Sequence, residues 1–370
     1  MALMVGGEQS RVRTATSSAV AGCGSLRRRL FHHCKCWHMV SCMTNPNIRF
    51  GLQIPLFSFP GVANDDLFER VSDIAVTAED SGFDSVFVMD HFYQLPGLGA
   101  PQENMFEAYT LLSALAACTH TVRLGCMVGG MTYRNPAFLV KTVTCLDVIS
   151  KGRAIWGIGA GWFEKEHHDY NFEFGTFTDR FEKLEEGLQI AKSMFVNDST
   201  TFNGKWFKVT DAFNTPKPVK AGGPPILIGG SGEKKTLRMV ATYGDACNVF
   251  GDVTQVRHLM GVLDEHCAKL GRDPSEICRT RLGTLIVGET MEAAQAKLGE
   301  RLGGATIDQL PADMQARVEG MFIVGDADEV GAKVQELLDA GLDGIVVNMP
   351  DAHNLEAVAL AGSVLSKVFA

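Results

Sequence analysis

From residue 48 onward, short continuous apolar runs alternate with longer segments whose apolar residues recur at helical spacing. "IRFGLQI", "FDSVFVMD", "TVRLGCMVGG", "RAIWGIGAG", "PPILIGG", "DACNVFG", "TRLGTLIVG" and "GIVVNMP" read as strands, in chain order. Between them "DDLFERVSDIAVTAEDSG", "MFEAYTLLSALAACT" and "NPAFLVKTVTCLDVISKG" read as helices. The last has proline in its first turn and glycine after its end. Further helices are expected over 178–196, at "EKKTLRMVATYG" and over 254–270, 290–302, 327–340 and 355–368. "TTFNGKWFKV" reads as a hairpin around Asn203-Gly204, and "MFIVG" near 321–325 as an extra extended piece. Strands that are apolar throughout are those buried on both faces. Eight strand–helix units in succession predict an α/β fold of the closed (β/α)8 TIM-barrel type with insertions, and an open doubly wound sheet is the rival. No Pro-, Ser- or Gly-rich linker divides residues 43–370, which are expected to form a single domain.

Charge separates the first residues from the rest. Residues 1–42 hold six basic side chains and one acid, which leaves residues 43–370 with a formal charge of −14. So acidic a body is a poor nucleic-acid binder, and any anionic ligand needs local donors. No run of 18 apolar residues exists, so no membrane span is expected. The Arg-rich leader reads as a transit peptide or, the favoured reading, as sequence ahead of a mis-assigned start, with Met43 the natural one, and is expected to be disordered. Its "HHCKCWHMVSC" lacks a standard zinc spacing. Cys118, Cys126, Cys145, Cys247, Cys267 and Cys278 sit singly in apolar runs and read as reduced core residues of a cytoplasmic protein.

In a barrel of this type, chemistry gathers at the strand C-termini. There the sequence places Asp90-His91 after the second strand and Val128-Gly129-Gly130 after the third. Gly159-Ala160-Gly161 follows the fourth, Gly229-Gly230-Ser231-Gly232 the fifth and Asn248 to Gly251 the sixth. Gly157, Gly159 and Gly161 are spaced G-x-G-x-G, not the G-x-G-x-x-G of a dinucleotide fingerprint. They mark either a tight strand-to-loop turn or a wall that a flat ring can approach. "GGSGEKK" lacks the end of a Walker A motif but can offer N–H groups to an anion where its helix starts, near Glu233. Arg134 is a candidate partner for an anionic ligand or for a neighbouring carboxylate. Glu164, Glu166, His167 and His168 are candidate proton donors or acceptors without metalloprotease spacing.

Taken in order, "FDSVFVMDHFYQLP", "VRLGCMVGGMTYRNPAFLVKTVTCLDVISKGRAIWGIGAGWFEKEHHDY" and "PPILIGGSGEKKTLRMVATYGDACNVFG" resemble the luciferase-like monooxygenase superfamily, closest to its coenzyme F420-dependent oxidoreductases. The resemblance implies a (β/α)8 barrel that binds F420, or alternatively FMN, at the strand C-termini. It places Asp90 and His91 at the ring as catalytic residues. A non-proline cis peptide is implied within Met127-Val128-Gly129, and a phosphate site at Gly229, Gly230, Ser231 and Gly232. Val128, Gly129, Gly159, Ala160 and Gly161 would back the ring, while Trp162, Phe92 and Tyr93 would shape the substrate pocket. Trp162 stands where the sugar-phosphate dehydrogenases of the superfamily keep a catalytic glutamate. The implied activity is hydride transfer between the deazaflavin and a small organic substrate. The alternative is a reduced-FMN monooxygenase that uses O2 and a partner reductase. Relatives commonly form homodimers, and helix 178–196 is a candidate for that packing.

Overall fold

The computed structural model describes residues 45–370. The leader reading of residues 1–42 and the His/Cys cluster lie outside them. The described residues form twelve strands: β1 Phe50–Ile54, β2 Ser85–Val88, β3 Arg123–Cys126, β4 Gly129–Gly130, β5 Ala154–Gly159, β6 Ser199–Asn203, β7 Lys208–Phe213, β8 Ile226–Gly229, β9 Ala246–Val249, β10 Cys278–Val287, β11 Phe322–Gly325 and β12 Gly344–Asn348. The helices are α1 Leu67–Asp80, α2 Ala108–Cys118, α3 Pro136–Ile149, α4 Glu164–Asp169, α5 Phe177–Val196, α6 Thr236–Tyr243, α7 Val253–Leu270, α8 Met291–Arg301, α9 Ala312–Met321, α10 Ala327–Asp339 and α11 Leu355–Val368.

Eight parallel strands close a barrel in the order β1, β2, β3, β5, β8, β9, β10, β12, with β12 pairing back to β1. The closed sheet explains the apolar strands. Ile48, Phe87, Met127, Ile155, Leu227, Ala246, Cys278, Leu282 and Val346 fill the interior as one cluster. Residues on the other face pack against the helices in the larger core, as Leu52, Val86, Leu124 and Ile158 do. The open-sheet rival is thereby excluded.

Local signals set the helix starts. Asn135 caps α3 by accepting from the N–H groups of Ala137 and Phe138 at 3.0 and 3.3 Å, with Pro136 in the first turn. Thr176 and Asp179 form a reciprocal capping box at α5. Outside the barrel, β6 and β7 pair antiparallel. Their link spans residues 204–207, longer than an Asn-Gly turn, because the Glu186 carboxylate accepts from the N–H groups of Lys205, Trp206 and Phe207 at 2.7, 3.0 and 2.9 Å. The far half of β10 extends beyond the barrel and pairs with β11, the extra piece near 321–325. α8 and α9, between β10 and β11, sit over the C-terminal end of the barrel, where Leu302, Met314, Val318 and Met321 line a cavity. Among the described residues no helix is long and apolar enough to cross a membrane.

Candidate active site

The C-terminal end of the barrel holds a cavity of about 880 Å³, within the size range of small-molecule and cofactor sites. One wall is backbone. The Met127–Val128 peptide between β3 and β4 is cis, at the stretch the resemblance indicates. It turns Val128 across the neighbouring strand ends. A Cβ on Gly229 would lie 2.7 Å from a Val128 methyl, and one on Gly159 would lie 3.1 Å from it. A Cβ on Gly157 would fall onto the Cys126 carbonyl oxygen. The alternating glycines of β5 therefore serve first to admit the bent β3–β4 segment, and the ligand meets Val128 and Gly129 in front of them.

Asp90 fixes this wall. It is 2% exposed. Arg134 donates to both of its oxygens, at 2.7 and 2.9 Å, and the Gly130 N–H donates at 3.1 Å. Arg134 also donates to Glu107 at 2.6 Å. Asp90 opposes desolvation of Arg134 and holds its guanidinium well above the ordinary range. The Arg134 question thus resolves to a salt bridge. Asp90 lines the cavity, and both of its oxygens are held by Arg134.

His91 occupies the next position and is free on one side. Its Nδ1 lies 2.9 Å from Glu166 Oε2. Its Nε2 makes no hydrogen bond among the described residues, and the ring lines the cavity. Glu166 is completely buried on α4. Its Oε1 accepts from the N–H groups of Phe92 and Tyr93 at 2.6 and 3.0 Å, and its Oε2 accepts from the Tyr133 hydroxyl at 2.5 Å. Burial works against the charge, but the bonds from His91 and Tyr133 outweigh it and hold the carboxyl below its usual range. Burial and Glu166 together push the Tyr133 hydroxyl far upward, so it remains a donor. Glu166 therefore sits behind His91 and cannot reach a ligand. His167 is also structural. Its Nδ1 lies 2.9 Å from the Phe163 carbonyl and its Nε2 2.6 Å from the Thr132 hydroxyl, and burial lowers its pKa. Glu164 and His168 lie on the exposed side of α4.

Phe92 and Tyr93 do not line the cavity. Their N–H groups turn inward to Glu166, and that sends the rings outward. Phe92 packs on Tyr133, Tyr170 and Phe172, with Tyr93 near Tyr170 and Lys165. Trp162 does border the cavity. It is 61% exposed, and its ring packs edge-on to His91 at 5.7 Å. Ala160, Gly161, Gly229 and Gly230 line the cavity as well. Gly230 has φ of +128°, a conformation that only glycine takes freely. Ser231 and Gly232 are not part of the lining. The Ser231 hydroxyl instead accepts from the Phe250 N–H at 3.0 Å and ties two loops together. α6 begins at Thr236, later than the sequence suggested, and no side chain caps it.

Two features were missed in the sequence. Arg180 lines the cavity, stacks on Phe174 at 3.9 Å and donates to the Gly161 and Gly175 carbonyls at 3.1 and 3.0 Å, without a carboxylate partner among the described residues. A chain of polar groups, Gln53 and Thr284 buried and Asn348 half-buried, crosses the cavity floor. Gln53 donates to the Met127 carbonyl at 3.0 Å, Asn348 donates to Gln53 at 3.4 Å, and Thr284 donates to Asn348 at 2.9 Å. Both lay in ordinary helix and strand patterns, and the floor had a signal only in polar residues interrupting apolar strands.

A closed parallel barrel with a deep cavity at its strand C-termini, one poised histidine and a backbone wall defines a barrel enzyme. Residues 48–344 match the luciferase-like monooxygenase family, and the chain belongs to it. It is similar to an F420-dependent glucose-6-phosphate dehydrogenase of Amycolatopsis mediterranei, 27% identical over 77% of this chain and 89% of the relative. It is 30% identical to the pyrimidine monooxygenase RutA of a Bradyrhizobium species, over 66% of this chain and 67% of that protein. The solved structure of an F420-dependent tetrahydromethanopterin reductase from Methanopyrus kandleri superposes with a TM-score of 0.71 at 19% identity, covering 87% of this chain and 99% of that one.

Proposed function

We propose that the protein is a coenzyme F420-dependent oxidoreductase that moves hydride between the deazaflavin and a small organic substrate. The observation that carries this reading is His91, with Nδ1 held by a buried carboxylate and Nε2 open to the cavity beside the backbone wall. A two-electron hydride transfer is commonly accompanied by a proton, and His91 is the titratable group placed to hold one.

The residues present fit a flat ring with one apolar face and polar edges. Val128 and Gly129 offer the surface, and a side chain at Gly129 would meet Asp90 at 3.2 Å. The chain of Gln53, Asn348 and Thr284 offers the polar edge. Gly229, Gly230 and the uncapped start of α6 at Thr236 would hold the phosphate, with Arg180 adding charge. When bound, the deazaflavin supplies a carbon that accepts or gives hydride. The chain's own work is to orient the ring on Val128, to exclude water with Trp162, Phe177, Phe181 and the α8–α9 cover, and to exchange the proton at His91 Nε2. Trp162 in place of an acid leaves His91 as that group and argues against a sugar-phosphate substrate.

Fluorescence titration with F420 and with FMN tests the reading. Saturable F420 binding, tighter than FMN binding, is expected. Tight FMN binding without F420 binding would overturn it in favour of a reduced-flavin monooxygenase.

A further inference from the structure

Glu166 is surrounded by four hydrogen-bonding groups, and two of them have no choice of role. The N–H groups of Phe92 and Tyr93 can only donate, and they take Oε1. The Tyr133 hydroxyl can turn, but its proton has nowhere better to go, and it takes Oε2 at 2.5 Å. A proton on Oε2 would weaken the short Tyr133 bond, and the hydrogen bonds around the carboxyl hold it below its usual range despite burial. Glu166 therefore stays a carboxylate, which only accepts. The fourth group, His91 Nδ1 at 2.9 Å, must then carry a proton. A neutral imidazole has one N–H, so the other nitrogen is left with its lone pair.

We propose that Glu166, supported by Tyr133, is a positioning residue that fixes the tautomer of His91, so that the neutral ring presents an acceptor and not a donor to the cavity at Nε2. The ring is set from behind, by a helix of six residues, α4, that brings Glu166 under the loop after β2. Trp162 and Phe163 pack edge-on to the same ring at 5.7 and 5.8 Å and keep it from turning over. The ligand atom facing a neutral His91 is then an O–H or N–H donor. This inference sharpens the proposed role of His91 and rests on that reading only for its use in turnover. The tautomer itself is a property of the protein without a cofactor.

The substitution Glu166→Gln makes the idea testable in an unusual way. The two fixed backbone N–H groups would keep the amide oxygen, so the amide NH2 would face His91 and Tyr133. Nδ1 would become an acceptor, and the ring proton would move to Nε2. The test is long-range ¹H–¹⁵N NMR of the full chain without ligand, at a pH where the ring is neutral, with His91 assigned from a His91→Gln spectrum. The wild type is expected to show the Nδ1–H pattern, and Glu166→Gln the Nε2–H pattern, the two ring nitrogens exchanging their shifts. Tyr133→Phe keeps the carboxylate and is expected to keep the wild-type tautomer. An Nε2–H ring in the wild type overturns the proposal, as does an unchanged tautomer in a folded Glu166→Gln protein. If Glu166→Gln does not fold, the wild-type and Tyr133→Phe spectra decide. Failure of F420 to bind would count against the proposed function and leave these spectra unchanged.

Discussion

The close fit between Val128 and Gly229 makes a sharp test at the residue scale. Gly229→Ala puts a methyl 2.7 Å from a Val128 methyl, in a wall that has little room to move. Overpacking of this kind costs about 1–3 kcal/mol. Val128→Ala removes the obstructing methyls, so the double variant is expected to recover most of that loss. Urea unfolding of the single and double variants measures it, and strictly additive losses would contradict the packing. Gly157→Ala has no such rescue, because its obstacle is the Cys126 backbone. The sequence marked these glycines as unusual but gave no way to see what they admit. What they admit, the Cys126–Val128 segment with its cis peptide, lies far from them in sequence, and furthest from Gly229. Asp90 and His91 were legible as a pair, yet their different roles were not. One is bound by Arg134, 44 positions on, and the other by Glu166, 75 positions on. Such partners become neighbours only once the barrel closes.

At the scale of elements, ion pairs and caps join the strand ends to the helices. Arg134→Met would leave Asp90 buried without its partner and is expected to destabilise the protein by about 3–5 kcal/mol. Asp90→Asn in the same background should return part of this loss, and thermal melts compare the three proteins. The end of α1 is tied to the start of β3 by Glu79, which accepts from the Thr121 hydroxyl at 2.6 Å and from the N–H groups of His120 and Val122 at 2.9 Å. Burial acts to raise the Glu79 carboxyl, but these bonds and the Thr121 N–H outweigh it and hold it at about 2. A depressed carboxylate adds stability above its unfolded value and loses it as pH falls through the folded one. The stability gap between wild type and Glu79→Ala should therefore be full at neutral pH and shrink from pH 4.5 down to about 2. A gap that stays constant over that window in urea titrations would contradict this account. The long helices were legible because they keep one apolar stripe. α4 was not, since six residues with charges and histidines show no period. Only folding reveals that Glu166 and His167 are its buried face.

For the whole molecule, chain order and strand composition were enough to read the barrel, because closing it buries both faces of every strand. The position of the cavity followed from the fold. Its cover did not, since the segment between β10 and β11 has no pattern that says which end of the barrel it lies over. Phe92 and Tyr93 were expected over the ring, and the inward turn of their N–H groups sends them elsewhere. The central claim is that the cavity in front of Val128 holds the deazaflavin. Ala160, just after β5, lines that cavity, and Ala160→Trp adds a large ring at its edge. The decisive measurement is F420 titration of both proteins, with circular dichroism showing that the variant is folded. The account predicts saturable one-to-one binding to the wild type and loss of binding in Ala160→Trp. Equal binding to both proteins, or none to the wild type, would contradict it.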